Sequence, residues 1–166
     1  MGAWGVKALE SDTGLDFIID LEDYIKDKLD EQNKTSLTLS EVITLARETD
    51  WLNQNDDDCD CDDLDYTYDS TAMTIAETYL NYHRGSEQEA YLDEEETIHL
   101  WRDCVQNFSA DKASLSYLLQ HLSAMQQNQT NEREYVELWR ESSSWNEWSA
   151  HLSTLITDVK NEIAKL

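Results

Sequence analysis

Leu15-Asp16-Phe17-Ile18-Ile19-Asp20-Leu21-Glu22-Asp23-Tyr24-Ile25-Lys26-Asp27-Lys28-Leu29 decides how the rest of the chain is read. Ile18, Leu21, Ile25 and Leu29 recur at three- and four-residue steps, which places them on one face of an α-helix. Asp16, Asp20, Asp23, Asp27 and Asp30 fall on the other face. The spacing predicts a first helix from about Leu15 to Gln32, apolar toward the protein and acidic toward water.

The same periodicity extends outward along most of the chain. Thr38-x-x-Glu41 has the form of a capping box and opens a second helix through Val42, Leu45 and Ala46 to about Leu52. A third starts near Ser70 and carries Met73, Ala76, Tyr79 and Leu80 to a stop at Gly85. Ser86-x-x-Glu89 is a second capping box, leading to Ile98, Trp101, Val105 and Phe108 at helical steps. Ser109 or Asp111 restarts the chain into Leu115, Leu118, Leu119 and Leu122. Beyond the polar break Asn128-Gln129-Thr130-Asn131, Tyr135, Leu138 and Trp139 mark a short helix. Ser144-x-x-Glu147 begins the last, with Trp148, Leu152, Leu155, Val159 and Ile163 along its stripe.

Proline is absent and there are only four glycines, so few residues interrupt helices. Six Trp and eight Tyr supply large core side chains. A chain of 166 residues can bury roughly 70% of its extended surface. The expectation is an all-α protein: one compact domain over residues 1–166, a bundle of six or seven helices without internal repeats.

Charge narrows the class of partner. Thirty-six Asp and Glu oppose 12 Lys and Arg, a formal charge of −24. No basic side chain lies between Arg47 and Arg84, and that stretch contains Asn55-Asp56-Asp57-Asp58-Cys59-Asp60-Cys61-Asp62-Asp63-Leu64-Asp65. Adjacent carboxylates repel and Asp favours turns, so an acidic loop is expected at about 53–69. Such a field repels nucleic acid and anionic membrane and attracts basic proteins and hard cations. No signal-peptide pattern and no run of about 20 apolar residues is found. Val6 stands where a myristoylation motif at Gly2 wants Ser or Thr. Three cysteines, Cys59, Cys61 and Cys104, lack the spacing of a disulfide framework. A reduced, cytoplasmic protein is expected.

Several short words occur together in order. Met1-Gly2-Ala3-Trp4-Gly5 is followed by Ser11-Asp12 and Leu15-Asp16-Phe17. Ala72-Met73-Thr74-Ile75-Ala76-Glu77 leads to Gly85, and Glu134-Tyr135-Val136-Glu137-Leu138-Trp139-Arg140-Glu141-Ser142 precedes Trp148 and Leu152. The chain resembles the bacterial family catalogued as domain of unknown function 4259. That family opens with a Gly-x-Trp-Gly segment and an Asn-Asp pair, and its Ala-rich central helix stops at Gly. Here Lys7-Ala8-Leu9-Glu10 replaces the usual Gly-containing step, and Ser11 stands where Asn is common. The resemblance implies a helical fold and no particular activity.

Each candidate for chemistry has a plainer counterpart. Asp58, Asp60 and Asp62 have the 1-3-5 spacing of a calcium loop, with Asp69 at position 12. Asp63 holds the position that wants Gly, and Asp69 the one that wants Glu. The same carboxylates could bind a basic protein or could simply solvate a loop. Cys59-x-Cys61 is half of a zinc site without a paired second half among His83, His99, His121, His151 and Cys104. Cys104 itself reads as a buried, inert thiol. Glu96-x-x-His99 has di-iron spacing and no second such pair, since Glu147 and His151 are four apart. No nucleophile elbow and no Gly-rich phosphate loop is present. Trp139 and Trp148 read as core anchors, Trp145 as an interface candidate, and Trp4 as a plug for the N-terminal arm.

The sequence therefore points to a non-catalytic acidic binding protein of inhibitor or immunity-like type, masking a basic nuclease or other nucleic-acid-binding protein without itself contacting nucleic acid. Its contact residues are expected to be Asp56, Asp57, Asp58, Asp60, Asp62, Asp63, Asp65 and Trp145, with Asp20, Asp23, Asp27 and Asp30 secondary. The alternative is a calcium-binding protein using Asp58, Asp60, Asp62 and Asp69; no other cofactor is implied.

Overall fold

The computed structural model describes residues 5–52, 62–86, 100–128 and 133–166, with the backbone alone for 62–65. Trp4, Asp56, Asp57, Asp58, Asp60, Cys59, Cys61, Glu89, Glu96 and His99 lie outside the described residues. The fold is all-α apart from one short ribbon. Its helices are α1 (Asp12–Asp27), α2 (Leu39–Glu48), α3 (Asp62–Arg84), α4 (Lys112–Gln127), α5 (Glu134–Glu141) and α6 (Trp145–Ala164). A 3-10 turn, Ala8–Glu10, precedes α1, and a π turn, Leu100–Cys104, precedes the strand β2 (Val105–Ser109).

Helix α3 is the axis of the bundle. Every residue from 69 to 80 is buried, and α3 touches α1, α2, α4, α5, α6, the 3-10 turn and β2. A helix enclosed on all sides has no room for a solvated face. Ala72, Met73, Ile75, Ala76 and Leu80 fill it, and Thr74 Oγ1 satisfies itself on the Ser70 carbonyl at 2.9 Å. Around it, α1 presents Phe17, Ile18, Leu21 and Ile25 inward, as the opening stretch requires. Trp148, Leu152, Leu155 and Val159 do the same for α6, which packs on α4.

Local chemistry sets the helix ends. Ser11 Oγ accepts from the Gly14 N–H at 3.1 Å and starts α1. The helix closes at Asp27, short of Gln32, because Asp30 Oδ1 captures the N–H groups of Gln32 and Lys34 at 2.8 Å each. The Thr38–Glu41 capping box forms in both directions, at 3.2 and 2.8 Å. Gly85 (φ 68°) and Asn128 (φ 31°) end α3 and α4 in left-handed conformations. Ser144 precedes α6, but its side chain makes no cap.

Two expectations are corrected. Residues 62–69 are helical, so the acidic loop foreseen at 53–69 does not extend across them. Asp62, Asp63 and Asp65 stand in the first turn of α3, where the positive end of the helix dipole favours carboxylates. Val105–Ser109 is a strand, not part of a helix: it pairs in parallel with β1 (Thr35–Thr38), Leu37 opposite Phe108 and Thr38 opposite Ser109. Trp101 and Cys104 are buried in the π turn. Burial raises the Cys104 thiol pKa, consistent with an inert group.

Candidate functional site

Helix α1 turns a row of carboxylates to water. Asp12, Asp16, Asp20, Asp23 and Asp27 are exposed, and Asp30 continues the row beyond the helix. Lys26 answers Asp23 at 3.2 Å, while Lys28 is drawn to Glu41 at 2.8 Å. Asp20 also accepts from Trp51 Nε1 at 2.7 Å, which ties the row to the end of α2. Successive carboxylates three and four positions apart are roughly 5–6 Å from one another at Cβ. Such a row can accept hydrogen bonds from several Lys or Arg side chains of one partner.

The other expected acids divide. Asp56, Asp57, Asp58 and Asp60 lie outside the described residues. Asp62, Asp63 and Asp65 share the opening turns of α3. Asp69 does not join them at the surface: it is 1% exposed and ion-paired with Arg133, which precedes α5. Its carboxylate is part of the core, and Asp62 and Asp69 sit on one helix, not around a loop.

Sequence reasoning missed the second buried acid. Glu77 is 3% exposed. Its two oxygens accept from the Ala8 and Leu9 amides at 2.9 Å each, and Oε1 also accepts from His151 Nε2 at 2.7 Å. The signal was available. A lone carboxylate in a stretch otherwise of apolar and hydroxyl residues, Ser70 to Leu80, has to find donors inside the protein. Beside it, burial raises the Tyr135 phenol well above its ordinary pKa.

Trp145 is partly buried, and its ring is engaged inside the chain. It stacks on Trp148 at 5.5 Å, Arg140 lies 5.6 Å from its centre, and Trp139 stacks on Trp148 at 5.8 Å. Trp148 is the fully buried anchor of this group and Trp139 a partly buried one.

Two grooves accompany these features. One of about 680 Å³ lies between the ends of α3 and α6, lined by Leu80, His83, Arg84, Asp158, Glu162 and Lys165 among others. Its charges neutralise each other, Arg84 with Asp158 at 2.5 Å and Lys165 with Glu162 at 2.6 Å. The other, of about 500 Å³, runs between Gly5–Lys7 and Trp139, Ser144 and Glu147. Among the described residues no three His, Cys, Asp or Glu side chains gather as a metal site would need. No helix among them is long and apolar enough to cross a membrane.

The family model described as Domain of unknown function (DUF4259) matches residues 2–151. Searches of curated proteins and of solved structures return no match.

Proposed function

The chain belongs to the family of domain of unknown function 4259, and from that premise we propose a non-catalytic acidic binding protein. Its carboxylate face covers the cationic site of a basic partner, in the manner of an inhibitor or immunity-like factor. The observation that carries the reading is the exposed row Asp16, Asp20, Asp23, Asp27 and Asp30 on α1, in a chain of net charge −24. A potential of this sign accelerates encounter with a cationic protein and turns away nucleic acid, so it selects the protein over its own ligand. Asp62, Asp63 and Asp65 at the start of α3 add to the same field. The reading places the protein in the cytoplasm, where a thiol such as Cys104 stays reduced.

Capture with the tagged chain from host lysate, eluted by salt, identifies the partner, and purified components then test the face. Changing Asp16, Asp20, Asp23 and Asp27 to Asn is expected to slow association about tenfold or more and to flatten its salt dependence. Substituting Asp56, Asp57, Asp58, Asp60, Asp62, Asp63 and Asp65 by Asn measures the contribution of the second group. Association rates and salt slopes unchanged in both variants overturn the reading.

A further inference from the structure

The 3-10 turn and the residues just before it form one wall of the groove of about 500 Å³. Gly5, Val6, Lys7 and Glu10 line that side, and Trp139, Ser144 and Glu147 line the other. The turn is bonded within itself. The Glu10 amide donates to the Lys7 carbonyl at 3.0 Å, and the Lys7 amide to Glu10 Oε2 at 3.3 Å. The Lys7 ammonium adds an ion pair to Glu10 at 3.5 Å. These bonds move with the turn when it moves.

Outward, the turn is tied by the Ala8 and Leu9 amides, which donate to Glu77 at 2.9 Å each, and by Ser11 Oγ, which donates to the Ala8 carbonyl at 2.6 Å. Ala8 is fully buried, while Val6 and Leu9 are only partly buried against the core. Helix α1, in contrast, buries Phe17, Ile18, Leu21 and Ile25 completely. Apolar burial contributes roughly 25 cal/mol per Å² removed from water, so α1 is held far more firmly than the turn. Segments with little buried apolar surface open at lower free energy than the core that carries them.

Glu77 allows that opening without unfolding. When the turn leaves, water replaces two amide donors, but His151 of α6 remains on Oε1 at 2.7 Å. The buried carboxylate keeps a donor in both states, so opening does not strand a charge. Ser11 supplies the pivot: its backbone is extended (φ −138°, ψ 154°), and its hydroxyl accepts from the Gly14 amide at the start of α1.

We propose that residues 5–10 are a latch that opens as a unit about Ser11 while α1 to α6 stay folded. Its opening withdraws one wall, so the groove beside Trp139 exists only in the closed state.

The test is native-state hydrogen exchange of the full chain, followed by NMR over a urea series below the unfolding transition. The Ala8 and Leu9 amides are expected to exchange at least about tenfold faster than those of residues 73–80 in α3, with a much weaker urea dependence, because a local opening exposes little surface. Gly14→Ala, which sets a Cβ 2.0 Å from the Ala8 carbonyl oxygen, is expected to open the latch. Protection at Ala8 and Leu9 then falls about tenfold or more and the Trp139 ring signals shift, while residues 73–80 remain protected. If that variant does not fold, the urea series on the unmodified chain decides alone. Ala8 and Leu9 amides that exchange at the rate and urea slope of residues 73–80 overturn the latch. Trp139 signals that stay in place in the folded variant overturn its hold on the groove.

Discussion

Glu77 of α3 and His151 of α6 are 74 positions apart in sequence and 2.7 Å apart in the fold. The same carboxylate holds the amides of Ala8 and Leu9, so one side chain joins the start of the described chain, its central helix and its last helix. The N-terminal turn has little apolar surface of its own, Ala8 being its only fully buried residue. Its position is set by a buried carboxylate with three donors.

Removing that carboxylate strands all three donors inside the protein. Glu77→Ala is expected to lower stability by about 3–5 kcal/mol, the range for breaking a buried charged network on one side. Glu77→Gln keeps one acceptor oxygen and is expected to lose less. Urea denaturation of the two variants checks the order. A loss below about 1 kcal/mol for Glu77→Ala would mean that the amides find water instead.

Gly14 sits where α1 crosses the same turn. A Cβ added there would lie 2.0 Å from the Ala8 carbonyl oxygen and 2.7 Å from its carbon. Both are backbone atoms, so no rotamer relieves the contact. Gly14→Ala is expected to cost about 1–3 kcal/mol or more by forcing the turn away from α1 and from Glu77. Thermal unfolding measures it, and an unchanged midpoint would show that the turn moves freely.

Asp69 separates the two readings of the acidic segment. As an anchor for Arg133 it is structural, and Asp69→Asn is expected to destabilise the protein by about 3–5 kcal/mol whether calcium or a chelator is present. As a calcium ligand it would give a wild-type midpoint that rises with calcium and a variant that does not respond. The core position of the carboxylate favours the first outcome.

Much of this architecture was legible in the residues. Ile18, Leu21 and Ile25 gave α1, Thr38 and Glu41 its neighbour α2, and Gly85 and Asn128 their stops, because these signals are local. Val105 and Phe108 misled because their three-residue step is a helical one, and the two-residue alternation that marks a half-buried strand is absent from Val105–Ser109. Only the pairing with Thr35 and Leu37, some 70 positions earlier, makes them a strand, and strand preference depends on such partners. Asp62 to Asp65 misled for another reason. Their mutual repulsion is visible in sequence, while their placement at a helix N-terminus, which offsets it, is not. Glu77 and His151 carry no fixed spacing at all.

Glu41 makes the fold sensitive to acid. Burial alone would raise its carboxyl, but hydrogen bonds from Lys28 and from the Thr38 amide and hydroxyl, with the Lys28 charge, hold it below its ordinary value. A carboxylate with a depressed folded pKa adds stability above its unfolded value, about 4.3. That stability disappears as pH falls through the lower, folded value. Because Glu41 is 39% exposed, solvent screening keeps the gain below about 1 kcal/mol. Glu41→Gln retains the capping geometry, so its midpoint is expected to lie below wild type at neutral pH and to converge with it in acid. A gap that persists at the lowest pH would assign the difference to the cap and not to the charge.

The α1 row works against the helix that carries it. Asp16 and Asp20, and Asp23 and Asp27, are like charges four positions apart, each pair costing about 0.2–0.5 kcal/mol. Asp23 and Asp27 also stand at the C-terminal end of α1, where the dipole disfavours carboxylates. Changing Asp16, Asp20, Asp23 and Asp27 to Asn is therefore expected to raise stability by about 1 kcal/mol at low salt, with Asp27 contributing most and the gain shrinking as salt is added. Denaturation at two ionic strengths measures this. A more stable variant that also associates more slowly would establish that the row is kept for a partner at the expense of the fold. A variant with no gain in stability would remove that argument, since the carboxylates would then cost the helix nothing.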